Sequence, residues 1–204
     1  MESKDLESRL KRIYASLEMA EETDMAKLKA EVVRDGKRIA VYQDFSGGLS
    51  NEELENYAQS LIHNIASLRD HLKSWAKKNG KEKSEVDSVF RSSLALQIIQ
   101  DLFDNDKHGY PPRNGGWSGK SPKIDKITRS LELSTQPQKG SFVAMTFGPG
   151  GIPHISGSGE ARAVISAEIR DRDGNIIGDF RQTALEAIGV WEELLAEFGV
   201  SIGP

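Results

Sequence analysis

Residues Ser50–Gly80 read SNEELENYAQSLIHNIASLRDHLKSWAKKNG, and this stretch decides the fold class. Ser50 and Glu53 have the spacing of a capping box, in which the hydroxyl accepts from the N–H three residues on and the carboxylate reaches back. Beyond the cap, Leu54, Ala58, Leu61, Ile65, Leu68, Leu72 and Trp75 recur in alternating steps of four and three. That spacing draws one apolar seam down a helix, and a seam needs a helical partner with a matching stripe. Asn79-Gly80 supplies the stop. A long helix with a continuous seam implies a helical core around it.

Working outward, Leu6, Leu10, Ile13, Leu17 and Ala20 mark a first amphipathic helix, with Met25 and Leu28 as its continuation. Asp35-Gly36 sits between β-rich runs and predicts a hairpin over 31–45. Ser84 and Asp87 can start a third long helix, running to about Asp106. Pro111-Pro112 and Gly115-Gly116 exclude regular structure up to about Pro122. After that the period changes to two. Ile127, Arg129, Leu131 and Leu133 alternate with polar residues, and Ser141–Phe147, Glu160–Arg170 and Asn175–Phe180 read as further strands. Gly148–Gly159 reads as a long hairpin loop. Leu185, Ile188, Trp191, Leu195 and Phe198 define a closing helix. The expectation is an α+β fold. It combines a bundle of three to four long helices, a small antiparallel sheet of three to four strands and an N-terminal hairpin. Residues 1–204 would form one domain: 1–108 mainly helical, 109–125 a Gly/Pro-rich basic loop, and 126–204 the strands and closing helix.

The chain has 27 Lys and Arg against 31 Asp and Glu, a net charge of −4, which argues against a surface that wraps duplex DNA. It has no cysteine, so disulfides, thiolate zinc sites and a cysteine nucleophile are excluded. No apolar run is long enough to span a bilayer, and the first residues do not read as a secretory signal. The expected setting is cytoplasmic, without a membrane partner. His63, His71, His108 and His154 have no local zinc spacing, so neither metal nor cofactor is expected.

The third helix carries an unusual stripe. It reads as apolar almost all round, yet Gln97, Asp101, Asn105 and His108 fall along one line in steps of four, four and three. Buried polar groups must be satisfied. Either they form a site, with His108 as acid or base, Asp101 orienting it and Asn105 supplying donor and acceptor, or Asp101 bonds a neighbouring backbone or Arg69 and the stripe is a packing network. His63 and Asp70 on the second helix could join such a site or face solvent. The loop that follows carries Lys107, Arg113, Lys120, Lys123 and Lys126 with Tyr110 and Trp117 interleaved. Cations with exposed aromatics suit single-stranded nucleic acid or a nucleotide; packing of the two rings on the core is the alternative. Gly115-Gly116-Trp117-Ser118-Gly119-Lys120-Ser121 is one residue short of a phosphate loop and lacks its strand and helix.

His63-Asn64-Ile65-Ala66-Ser67-Leu68-Arg69-Asp70-His71-Leu72, followed by Asp101-Leu102-Phe103-Asp104-Asn105-Asp106-Lys107-His108-Gly109, resembles uncharacterised bacterial proteins of HEPN-like type. Those carry a helix of the pattern His, Leu, Arg or Lys, Asp, hydrophobic, and a later Asn-x-Lys-His element. The strand and helix from Asp173 to Leu195 are similar to the ending of such proteins. The resemblance implies a helical bundle, a dimer, and an origin among toxin or phage-defence systems, many of whose members are metal-independent ribonucleases. Their catalytic motif is an Arg, four to six residues, then His. His108 matches the histidine, but Asp101, Leu102 and Phe103 occupy the places for the Arg. Without that cation the oxyanion is unsupported at that point.

The expected function is RNA or nucleotide binding without standard ribonuclease activity. Lys107, Arg69, Arg113 and Lys120 would hold phosphate, with Tyr110 and Trp117 against bases. Any catalysis would be metal-independent, ribonuclease-like and centred on His108, with Asp101 and Asn105. The alternative is a non-catalytic interaction module, a homodimer through the second helix.

Overall fold

The computed structural model describes residues 3–18, 30–35, 38–43, 50–109, 114–136, 139–148 and 153–200. In chain order they form α1 (Ser3–Glu18), β1 (Ala30–Asp35), β2 (Arg38–Gln43), α2 (Asn51–Lys78), α3 (Lys83–Ser92), α4 (Leu94–His108), β3 (Lys123–Ser134), β4 (Val143–Phe147), β5 (Pro153–Gly157), β6 (Glu160–Arg170), β7 (Ile176–Asp179) and α5 (Phe180–Glu197). The fold is α+β, with helices beside small antiparallel sheets. Ala20, Met25 and Leu28, expected to continue the first helix, lie outside the described residues. None of the helices among those residues is long and apolar enough to cross a membrane.

The residues that predict α2 also bound it. The Ser50 amide donates to Glu53 Oε2 at 2.8 Å and the Glu53 amide to Ser50 Oγ at 3.2 Å. At the far end Gly80 takes φ +70°, which lets the Lys81 amide reach back to the Ala76 carbonyl at 2.9 Å. That six-to-one bond satisfies a carbonyl the helix leaves open. Between the caps, every residue of the seam is at most 5% exposed. Burying each Leu or Ile of such a seam contributes about 1.5–3 kcal/mol.

Two compact units are present. The first comprises Met1–Ser16, Glu55–Ile127 and Ser166–Pro204. In it Leu6, Leu10 and Ile13 of α1 are buried, and the Tyr14 hydroxyl donates to Glu192 Oε1 of α5 at 2.8 Å. Burial, then the bond to Glu192 and its charge, push the Tyr14 pKa up to about 12. Trp75 of α2 stacks on Phe198 with ring centroids 5.7 Å apart. α4 packs on α5, and α3 on both. The seam of α2 therefore lies inside the chain. The second unit, Leu17–Leu54 and Thr128–Ile165, holds two antiparallel hairpins. β1 pairs with β2 from Ala30↔Gln43 to Asp35↔Arg38, and β4 with β5 from Val143↔Gly157 to Phe147↔Pro153. A three-stranded sheet has the order β3-β6-β7.

Two expectations need correction. The third long helix is two helices, because Ser93 adopts an extended backbone (φ −102°, ψ 114°) and caps α4, its hydroxyl accepting from the Leu96 amide at 3.3 Å. Serine competes well for this role because its short side chain satisfies a backbone N–H that would otherwise be open. The break shifts the phase of the apolar face. Phe90 of α3 is buried, while Leu94, at the start of α4, is 53% exposed. The second correction lies in Gly148–Gly159, where β5 forms and pairs with β4; glycine density hid the short strand.

The break makes a sharp contrast testable by urea denaturation. Ile65→Ala, deep in the α2 seam, should cost about 2–5 kcal/mol. Leu94→Ala should fall within about 0.5 kcal/mol of the parent, as an exposed residue does; a large loss there would contradict the helix break.

Candidate ligand-binding site on the glycine-rich loop

Asp101 is the residue from which the site is built. Its side chain leaves α4 on the buried face and is fully inaccessible. All three donors it finds come from the loop between α4 and β3: the Trp117 amide to Oδ1 at 2.7 Å, the Ser118 amide to Oδ2 at 2.9 Å, and the Ser118 hydroxyl to Oδ2 at 2.6 Å. Ser118 Oγ also accepts from the Lys120 amide at 3.2 Å. Successive backbone N–H groups closing on an anion form a nest. The glycine pattern that nearly matches a phosphate loop thus binds an anion, and that anion is the protein's own carboxylate.

Sterics explain two of the glycines. Gly116 has φ +73°, and a Cβ built there would stand 2.2 Å from Asp101 Oδ1. Gly115 has φ +84°, and its Cβ would stand 2.6 Å from the Gly119 carbonyl carbon. Burial raises the Asp101 pKa above the usual carboxylate range; the donors from Ser118 and Trp117 pull it back in part.

The loop holds Trp117 over the α2–α3 contact. Its ring meets Phe90 edge-on, with centroids 5.1 Å apart at 84°. The Arg69 guanidinium lies 3.8 Å from the Phe90 ring centre and 5.1 Å from that of Trp117. Arg69 also donates to Asp87 Oδ1 at 2.6 Å, and Lys73 lies 2.6 Å from the same oxygen. Desolvation would raise the Asp87 pKa, but Lys73 and Arg69 together bring it below the usual range. Arg69 is therefore held by Asp87 and two rings. Trp117 remains 48% exposed, and among the described residues its indole N–H has no acceptor.

The other side of the loop is tied to the β6–β7 turn. The Ser121 amide donates to the Gly115 carbonyl at 2.9 Å, the Arg172 amide to the Lys120 carbonyl at 3.2 Å, and the Arg172 guanidinium to Ser121 Oγ at 3.2 Å. Between loop and turn opens a cleft of ≈ 490 Å³ lined by Asn114, Gly115, Gly119, Lys120, Asp171, Arg172 and Asp173. Asp171 turns its oxygens to the amides of Asp173 and Asn175 and to the Asn175 side chain. Among the described residues the Lys120 ammonium has no ion-pair partner.

The expected stripe does not act as one group. Asp101 is buried and turned to the loop, Gln97 donates to the Arg91 carbonyl at 2.6 Å, Asn105 is half-buried, and Lys107 and His108 are exposed. Asp101 and His108 are seven residues apart, about 10 Å along the helix, and among the described residues Asp101's hydrogen bonds come from Trp117 and Ser118. At the α4 end the carboxylate–imidazole contact is instead between Asp106 and His63, at 2.8 Å, with the His63 ring edge-on to Phe103. Tyr110 and Arg113 lie outside the described residues. Sequence reasoning missed Ser118, Arg172 and Asp87. The near-match to a phosphate loop was the signal for Ser118; nothing local pointed to the other two.

No family model, no curated protein and no solved structure matches the chain. Its class is therefore set by fold and site: an α+β protein with a carboxylate-clamped glycine loop beside a polar cleft.

Asp101→Ala should cost about 2–4 kcal/mol, since it strands the loop donors, and Gly116→Ala should cost a similar amount. The pH dependence has a definite sign. A folded pKa above the unfolded one means the folded state keeps its proton longer, so Asp101's contribution is fullest below the unfolded value, about 4, and is lost as pH rises through the folded value. Chemical denaturation across pH should show the parent losing stability relative to Asp101→Asn over that window.

Proposed function

We propose that this chain binds RNA or a nucleotide at the loop and cleft just described, without standard ribonuclease chemistry. One observation carries the reading: the Asp101 clamp fixes a half-exposed Trp117 and an unpaired Lys120 on one short loop. The arrangement suits single strands, in which bases stack on an aromatic face and phosphates meet a cation. Asn114 and the glycine backbone add hydrogen-bonding groups, and Arg172 a second cation at the cleft.

The absence of ribonuclease chemistry is argued from the same geometry. The positions that would carry the arginine of a HEPN ribonuclease hold Asp101, Leu102 and Phe103. The first faces loop donors, the second is buried, and the third packs on His63. The grouping with HEPN-like bacterial proteins, and with toxin or phage-defence systems, rests on residues 63–72 and 101–109. An enzymatic variant of this reading would centre on His108 with Asn105, near the His63–Asp106 pair. The reading as a homodimer through the second helix is less well supported, because the α2 seam is buried within the chain.

Isothermal titration with a short single-stranded RNA at low and moderate salt tests the reading. Salt-sensitive binding is expected. Trp117→Ala should weaken it by about 1–3 kcal/mol, and Lys120→Ala should lower the salt slope by about one. His108→Ala should leave binding in place, and the parent should not cleave the RNA. No binding at any salt would overturn the assignment; loss in His108→Ala with Trp117→Ala intact would move the site to the end of α4.

A further inference from the structure

The cleft between the glycine loop and the β6–β7 turn carries charges of both signs. Lys120 and Arg172 are its cations, Asp171 and Asp173 its anions, and Asn114 stands beside them. Its two walls are joined by the Arg172 amide on the Lys120 carbonyl and by the Arg172 guanidinium on Ser121 Oγ, each at 3.2 Å. A ligand made of phosphate alone would be drawn by the cations and repelled by the carboxylates. The acids therefore bear on what else a ligand has to offer.

The two acids are not equivalent. Asp171 is occupied by its own turn: Oδ1 accepts from the Asp173 and Asn175 amides, each at 2.9 Å, and Oδ2 from the Asn175 side chain at 3.1 Å. The Gly174 amide also returns to the Asp171 carbonyl at 3.1 Å, with Gly174 at φ +87°. The turn so fixed presents Asp173, whose side chain is exposed and, among the described residues, has neither an ion-pair nor a hydrogen-bond partner. On the opposite wall the Lys120 ammonium is likewise unpaired. An ammonium and a carboxylate that line one cleft without meeting leave space for a group that serves both. An ionised carboxylate only accepts hydrogen bonds, so whatever faces Asp173 has to be a donor.

On the reading of this cleft as an RNA or nucleotide site, we propose that Asp173 accepts a hydrogen bond from a ribose 2′-hydroxyl whose neighbouring phosphate lies on Lys120. The site then selects ribose over deoxyribose. In an RNA strand the hydroxyl and the 3′ phosphate stand on adjacent carbons of one sugar, which brings donor and anion together. The 2′-hydroxyl is the group by which a protein tells RNA from DNA, and acidic side chains meet ribose hydroxyls in dinucleotide sites. A deoxyribose strand would bring its negative charge to Asp173 without a donor.

Isothermal titration of the full chain compares three short oligouridylates of equal length that differ only at the 2′ position, which carries hydroxyl, hydrogen or fluorine. Fluorine keeps the sugar pucker of RNA but has no proton to donate. The parent should bind the hydroxyl strand about tenfold more tightly than the other two. Asp173→Ala should abolish that advantage, with RNA affinity falling to the level of the fluoro strand. Trp117→Ala should weaken all three strands in the same proportion, which separates stacking from sugar recognition. Equal binding of the three strands by the parent, RNA-like binding of the fluoro strand, or a preference that survives in Asp173→Ala would overturn the ribose inference and leave nucleic-acid binding at the loop standing. No binding of any strand would overturn both.

Discussion

The carboxylate of Asp101 lies on the buried side of α4 with no access to water. A charge in that position costs several kcal/mol unless donors surround it, and among the described residues the donors that reach it belong to the segment sixteen and seventeen residues further on. The loop must therefore close on the helix. Two backbone amides and a hydroxyl can converge on one carboxylate only if the backbone between them turns tightly, hence the glycines with positive φ. Once closed, the loop fixes Trp117 against Phe90 and Arg69 and leads directly into β3. One interaction thus connects α4, the α2–α3 contact and the start of the sheet.

The same interaction bears on catalysis. The helix position that resemblance would assign to a catalytic cation holds an anion instead, and its surroundings are all donors. A guanidinium there would face N–H groups. Arg69 is committed to Asp87 and to two aromatic faces. Lys120 lines the cleft between the loop and the β6–β7 turn.

Much of the architecture was legible because its causes are local. The capping box at Ser50, the seam from Leu54 to Trp75, the stop at Gly80 and the pairing of β1 with β2 up to Asp35↔Arg38 each depend on a few neighbouring residues. The helix break at Ser93 was not legible, since Ser92-Ser93 is equally compatible with a helix interior until packing selects the cap. β5 was hidden for a related reason: its five residues form a strand through pairing with β4, and so short a run between glycines shows no strand period of its own.

The candidate site divides along the same line. Sequence alone determined that Asp101 was a polar residue out of place on a buried helix, that it needed a partner, and that the loop from Lys107 to Lys126 combined cations with aromatics. Tertiary structure decided which partner. Asp101 reaches the glycine loop rather than His108, Asp106 reaches His63, and Asp87 gathers Arg69 and Lys73. Those choices depend on distances between segments remote in the chain. Periodicity places a side chain on a face of its own helix, but only the packing of helices and loop sets what that face meets.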